Sequence, residues 1–244
     1  MPELKRGRYL VRFASSGDDV ARAQVLRGRA FRGGRCSDAD AYDASCRHLL
    51  IEDAAGRTLV ATCRLRVFRS GVGTNLSYSA QYYDLSPLFS FPDAMVELGR
   101  FCLHPERHDP DILRLAWGAI TSCVDREGAG MLFGCVSFRG TDPAAYPDAF
   151  ATLRAGHLGP GRWLPVTKAG RVIRFGQWPE TRPADPRAAR AQMPPLLRSY
   201  LVMGGWVSDH AVVDAELDTM HVFTALEVGR VPAARARSLR LIAG

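Results

Sequence analysis

The stretch MVELGRFCLHPERHD, Met95 to Asp109, sets a carboxylate and a guanidinium inside an otherwise apolar run. Met95, Val96, Leu98 and Phe101 would desolvate Glu97, and desolvation raises a carboxyl pKa toward working pH, which suits a general base. The same residue types also make a structural ion pair, Glu97 with Arg100 or Arg64, and the residues alone leave both accounts open. Strand alternation puts Arg100 on the opposite face from Glu97 unless a bulge intervenes. His104 and His108 lie in a proline-broken segment without a third convincing ligand, so no metal is expected and they read as surface histidines. Cys102 is a nucleophile by type, but in an apolar strand with no histidine base in its sequence context it reads as a packing cysteine.

The elements that must hold these residues follow from periodicity. RYLVRFA alternates as a strand, and SGDDVARAQVLRGRAF carries a helical apolar stripe with Ser16 or Asp18 as N-cap. RHLLIED and TLVATCRLRVF flank AAGR as a hairpin, and a short helix is expected in SAQYYDLSPLF. AMVELGRFCL is a strand. DPDILRLAWGAITSCVDREG is a helix with Asp109 as N-cap, Pro110 in its first turn and Gly128 at its end. MLFGCVSF reads as a strand and DPAAYPDAFATLRAG as a helix. A proline-rich connector spans 178–195, and a helix-strand extension, 196–244, ends in a basic tail, ARARSLRLIAG, that is expected to fray. The layout is α+β, a mixed sheet flanked by helices, taken as a single domain over 1–244.

Composition narrows the function classes. The 244 residues, 47% of them hydrophobic, can bury a sizeable core, and no apolar run approaches the roughly 18 residues needed to cross a bilayer. The N-terminus lacks a signal-peptide core, which places the protein in the cytoplasm. Six cysteines without a CxxC pair favour reduced thiols over a disulfide framework or zinc site. The net charge of +7, carried almost wholly by arginine, suits phosphate and carboxylate partners. Neither aromatic-plus-basic stripes nor a helix-turn-helix segment is present, so nucleic acid is not expected as a partner. No glycine-rich phosphate loop of the GxGxxG or GxxxxGK type occurs.

ELGRFCLHP, LFGCVSFRGTDP, PPLLRSYLVMGGWVSDHAVVD and DTMHVF, in that order, resemble the hemolysin-like N-acyltransferases of ornithine lipid biosynthesis, from about Leu26 to about Leu226. The resemblance implies a GNAT-like acyltransferase fold related to the acyl-homoserine lactone synthases. It implies transfer of a 3-hydroxyacyl group from acyl carrier protein to the α-amine of L-ornithine, giving lyso-ornithine lipid. An acyl-homoserine lactone synthase-like enzyme acting on another amine is the alternative, disfavoured by the terminal block. HPERHDPDILRLAWG has no glycine at the turn where acetyl-CoA enzymes of this fold hold a pyrophosphate, which points to a carrier-protein thioester and to no bound cofactor.

The resemblance also distributes roles. Glu97 becomes the base for direct attack of the amine, with Arg100 holding a carboxylate, a phosphate or the loop over the amine. Arg27, Phe31 and Arg64 organise the amine cleft, and Asp40 and Asp43 bind the amine substrate or order the segment covering it. Without the resemblance, Arg27 and Arg64 read as helix surface or hairpin pairing and Asp38 as a solvated turn. His104, Arg107, Arg114 and Arg139 are expected around the thioester entrance, steering the acidic carrier and its phosphopantetheine phosphate. Phe89, Phe91, Leu132, Phe133, Val136 and Phe138 are candidate lining for the acyl chain or plain core. Exposed apolar residues of YYDLSPLFSF offer peripheral contact with the inner membrane, which the lipidic product must reach.

Overall fold

The structure, a computed structural model, describes residues 3–107, 109–178 and 183–243. In chain order its elements are strands β1 (Leu4–Arg6) and β2 (Tyr9–Phe13), helix α1 (Gly17–Phe31), strands β3 (Arg47–Asp53), β4 (Thr58–Phe68), β5 (Tyr83–Asp84) and β6 (Ala94–Leu103), helix α2 (Pro110–Glu127), strand β7 (Ala129–Arg139), helix α3 (Pro147–Gly156), strands β8 (Val166–Thr167) and β9 (Val172–Ile173), helices α4 (Pro186–Gln192) and α5 (Pro195–Val202), strands β10 (Trp206–Asp214) and β11 (Thr219–Glu227), and helix α6 (Ala233–Ala243). Contacts divide the chain into two compact units, one of residues 1–67, 96–129 and 233–244, the other of 68–95 and 130–232.

In the first unit the strands run in the order β1-β2-β3-β4-β6. The hairpin expected across AAGR pairs β3 with β4 antiparallel, and β2 pairs with β3 on its other side. Ser16 caps α1 by accepting from Asp19 N–H. Asp109 caps α2, Pro110 opens it, and Gly128 closes it in the left-handed conformation, φ +61°, that favours glycine. Ala23, Leu26, Leu50, Leu59 and Cys102 form a core cluster against which Phe31 packs. Gly28 of α1 sits where a Cβ would lie 2.0 Å from the backbone oxygen of Cys36, so only glycine lets the following loop close on the helix. The basic tail does not fray: it forms α6, which packs on α2 with Ile242 over Gly118, and Arg240 donates to Asp125 at 2.7 and 3.0 Å. A buried leucine, Leu239, anchors that helix, a stripe hidden among arginines in the sequence.

In the second unit the strand order is β7-β11-β10-β9, with β5 and β8 forming a separate pair. Its core gathers Phe68, Tyr83, Leu85, Leu88, Phe91, Phe133, Trp163, Trp206 and Phe223. The helix expected in SAQYYDLSPLF is instead two 3-10 turns around β5, because Pro87 interrupts any longer helix. Tyr83, Leu85, Leu88 and Phe91 of YYDLSPLFSF are buried in the core, while Tyr82 and Phe89 are half-buried. The proline-rich connector carries the two-turn α4 where the composition suggested open chain. Asp185 caps it, and Gln192 at its end accepts from the N–H groups of Asp148 and Ala149 at 3.0 and 2.9 Å, closing the start of α3. The second proline of DPAAYPDAFATLRAG is the first residue of α3.

Candidate active site

Four elements of the first unit converge on one buried charged cluster. Arg27 of α1, 1% exposed, donates to Asp38 at 2.9 Å and to Asp43 at 2.7 Å. Arg64 of β4 donates to Asp40 at 2.5 Å and Asp43 at 2.7 Å. Arg100 of β6 donates to Asp38 at 2.9 Å and Asp40 at 3.3 Å, and Arg32, just past α1, adds a bond to Asp38 at 2.9 Å. The loop between α1 and β3 therefore places its three carboxylates among four guanidiniums. Charge-assisted bonds of this kind order a loop that otherwise carries little apolar anchorage.

Asp38, expected in a solvated turn, is 1% exposed and bound by three arginines. Its identity as a cluster member was legible only once Arg27, Arg32 and Arg100 came together from distant sequence. Helix surface is likewise the wrong description for Arg27. Burial by itself would raise the carboxyl pKa of Asp43, but hydrogen bonds from Arg27, Gln24 and Arg64 outweigh it and hold that group well below the usual carboxylate range. Asp38 is also lowered, burial being overcome by the charges of Arg100 and Arg27. Asp40 is the carboxylate of the three with most access to solvent, and its Oδ1 also accepts from Tyr42 N–H at 2.9 Å. His48, with Nε2 on the Asp43 carbonyl at 3.1 Å, is pushed toward the neutral form by burial.

Glu97 lies in the middle of β6 and is 5% exposed. Its charge reaches the thiol of Cys46, whose pKa burial raises, Arg64 lowers and Glu97 raises again. Arg100 adopts φ +51°, a left-handed conformation that costs a non-glycine residue about 1–2 kcal/mol. The extended backbone is broken there, so simple alternation no longer assigns the face of Arg100, and its side chain is held by the loop carboxylates.

Comparison with known proteins gives this arrangement a family. The GNAT acetyltransferase domain family matches residues 24–118. An L-ornithine N(alpha)-acyltransferase of Brucella abortus is 31% identical, with 92% of this chain and 86% of that protein covered. The chain belongs to the L-ornithine N(alpha)-acyltransferase family. An enzyme of the same name from Rhodobacter capsulatus is 30% identical over 90% of each chain. The solved N-acyl amino acid synthase from uncultured soil microbes, 8% identical, matches with a TM-score of 0.55 over 93% of this chain and 98% of that one, a likeness of fold. The protein is thus an N-acyltransferase with the GNAT-like α+β fold.

The remaining expected residues are spread more widely. Phe31 packs on the first unit's apolar cluster. His104 donates its backbone N–H to Val60, and its ring Nδ1 accepts from Glu106 N–H at 3.3 Å, while His108 lies outside the described residues. Arg107 is half-buried, and Arg114 is exposed with Asp111 beside it at 3.4 Å. Arg139 ends β7, in the second unit, and is exposed. The candidate acyl lining packs as core: Phe133 lies against Phe68 and Phe223, and Phe138 against Tyr146 and Phe150. Among the described residues no helix is long and apolar enough to cross a membrane.

None of the six cysteines, all among the described residues, forms a disulfide. Burial pushes Cys102 up to about 12 and Cys63 higher still, which leaves neither with usable thiolate at neutral pH. Titration of the native enzyme with a thiol reagent should modify exposed Cys36 rapidly, half-buried Cys46 and Cys135 slowly, and Cys63, Cys102 and Cys123 only after unfolding. Peptide mapping by mass checks this order, and rapid labelling of Cys102 would reopen an acyl-cysteine route.

Proposed function

We propose that the protein transfers a 3-hydroxyacyl group from acyl carrier protein to the α-amine of L-ornithine, giving lyso-ornithine lipid. The reading is carried by one observation, that relatives bearing this single name align over nine-tenths or more of the chain rather than over the acetyltransferase segment alone. The amine nitrogen attacks the thioester carbonyl directly, a C–N bond forms, the C–S bond breaks, and the carrier's thiolate leaves. Glu97 takes the proton that the amine must lose, and the thiolate is reprotonated on departure.

Ornithine also carries a δ-ammonium that must be recognised and spared. Of the three loop carboxylates, Asp40 retains solvent access and is the best placed for that cation, whereas Asp43 orders the loop through Arg27 and Arg64. Arg100 fixes the same loop, and Arg27, Arg64 and Phe31 shape the wall behind it. His104, Arg107, Arg114 and Arg139 serve the acidic carrier and its phosphodiester. We place the reaction in the cytoplasm beside the membrane that receives the product.

The test is to incubate the pure protein with a 3-hydroxyacyl carrier protein and a panel of amino acids, then weigh the products. An adduct on ornithine whose fragmentation puts the acyl group on the α-nitrogen is expected. Preference for another amine, or acylation at the δ-nitrogen, would overturn the assignment.

A further inference from the structure

Helix α6 turns an apolar stripe inward and a basic face outward. Ala236, Leu239 and Ile242, spaced by three, make the stripe: Leu239 is buried, its two neighbours are half-buried, and Ile242 lies over Gly118 of α2. Arg235, Arg237, Ser238, Arg240 and Leu241 are exposed, and Leu241 at 77% is the most open of the large apolar residues described. Arg6 of β1 donates to the Leu241 carbonyl at 3.2 Å, satisfying one of the acceptors that a helix end leaves open. That bond brings the exposed strand β1, with Lys5 and Arg6, to the end of α6.

Charge on this surface is one-sided. Residues 3–8 and 233–243 carry Lys5, Arg6, Arg8, Arg235, Arg237 and Arg240 against a single carboxylate, Glu3. Asp53 engages Arg8 and Asp125 engages Arg240. Lys5, Arg6, Arg235 and Arg237 have no ion-pair partner among the described residues. A lone surface leucine is ordinary, but one set among uncompensated cations has the make-up of a docking surface for an acidic protein. A helix that lies on a bilayer turns its apolar stripe outward to the lipid, whereas α6 spends its stripe on α2, which favours a folded acidic partner.

We propose that the outer face of α6, together with Lys5 and Arg6, is a docking surface for the acidic acyl carrier protein. This rests on the carrier-thioester reading of the donor given above. His104, Arg107 and Arg114, which that reading already gives to the carrier, belong to the same compact unit and stand just before α2 and near its start. Gly118, beneath the end of α6, follows Pro110 by about 12 Å of helix. A partner with the usual footprint of about 800 Å² is wide enough to take in both places. In this arrangement α6 supplies the charge that steers and holds the carrier, and the residues before α2 meet its phosphodiester.

The test compares the full-length protein with its Arg235→Glu/Arg237→Glu variant and with Arg235→Gln/Arg237→Gln, which removes the charge without reversing it. For each, kcat/KM is measured with one 3-hydroxyacyl group presented on acyl carrier protein and on free pantetheine. The ratio of carrier to pantetheine values should fall roughly 10-fold in the Glu variant and by less in the Gln variant, because like charges across an interface repel. Raised salt should lower the wild-type ratio and leave that of the Glu variant nearly flat. Equal losses on both donors, or an unchanged ratio, would overturn the inference. A second measurement needs no turnover: fluorescently labelled carrier protein is titrated with each protein, and the Glu variant should bind more weakly by a similar factor. Equal affinities strike the inference alone, whereas a wild type that binds no carrier strikes the carrier reading of the donor itself. Reduced pelleting of the Glu variant with phosphatidylglycerol vesicles, its carrier ratio intact, would assign the face to the bilayer and also overturn the inference.

Discussion

Replacing Glu97 with glutamine should leave a folded protein whose turnover is lower by about 10²–10⁴-fold, the range that a positioned general base contributes. The side chain is 5% exposed within β6, so an isosteric amide keeps the packing and removes only the capacity to accept a proton. If the carboxylate were there only to balance arginine charge, its loss would cost stability, about 1–3 kcal/mol for a buried polar partner, and would spare turnover. The two accounts therefore separate when kcat and a thermal midpoint are measured on the same preparation. The pH profile separates them further: the acidic limb of kcat/KM reports the base of the free enzyme and should vanish in the variant. Glu97→Asp, which withdraws the carboxylate by one methylene, should be intermediate, because catalysis falls steeply with displacement of about 1 Å. Wild-type turnover in Glu97→Gln would remove this residue from the chemistry.

Local signals in the sequence were reliable where the chain itself supplies the geometry. Asp109, Pro110 and Gly128 bracket α2 as their backbone preferences require, and β6 occupies Ala94–Leu103 as its apolar run indicated. The candidate site was only half legible. Glu97 and Arg100 stood out because they interrupt that run, and the left-handed backbone at Arg100 bears on the condition set by alternation. Partner choice was not legible, since Arg27, Asp38, Arg64 and Arg100 are joined by contacts between α1, a loop and two strands, and no spacing rule encodes them. The same holds for Arg12, Asp19 and Glu52, a second buried cluster whose members read as isolated charges along β2, α1 and β3. A bulge in β10 escaped for a related reason: Ser208 replaces backbone bonds with its side chain, which periodicity cannot register.

Removing Arg27 should be among the most destabilising single changes in the first unit. Its guanidinium is shared between Asp38 and Asp43, and a buried ion pair broken from one side leaves uncompensated carboxylate charge, typically at a cost of about 3–5 kcal/mol. Asp38 keeps Arg32 and Arg100, and Asp43 keeps Arg64 and Gln24, which places Arg27→Met near the lower end of that range. A thermal midpoint lower by roughly 10 °C is expected for a chain of this size. Arg27→Lys should recover only part of the loss, because a single ammonium cannot address two carboxylates as a planar fork does. The pH dependence gives the prediction its sign. Asp38 and Asp43 are held below their unfolded pKa, so their contribution is complete above about pH 4 to 5 and is lost as pH falls toward the folded values. Without Arg27 that lowering shrinks, and the variant has less to lose in acid. The stability gap between wild type and Arg27→Met, read from urea melts, should therefore be widest at neutral pH and narrow steadily toward pH 3; a gap constant with pH would mean that Arg27 acts through packing of its stem rather than through the loop carboxylates.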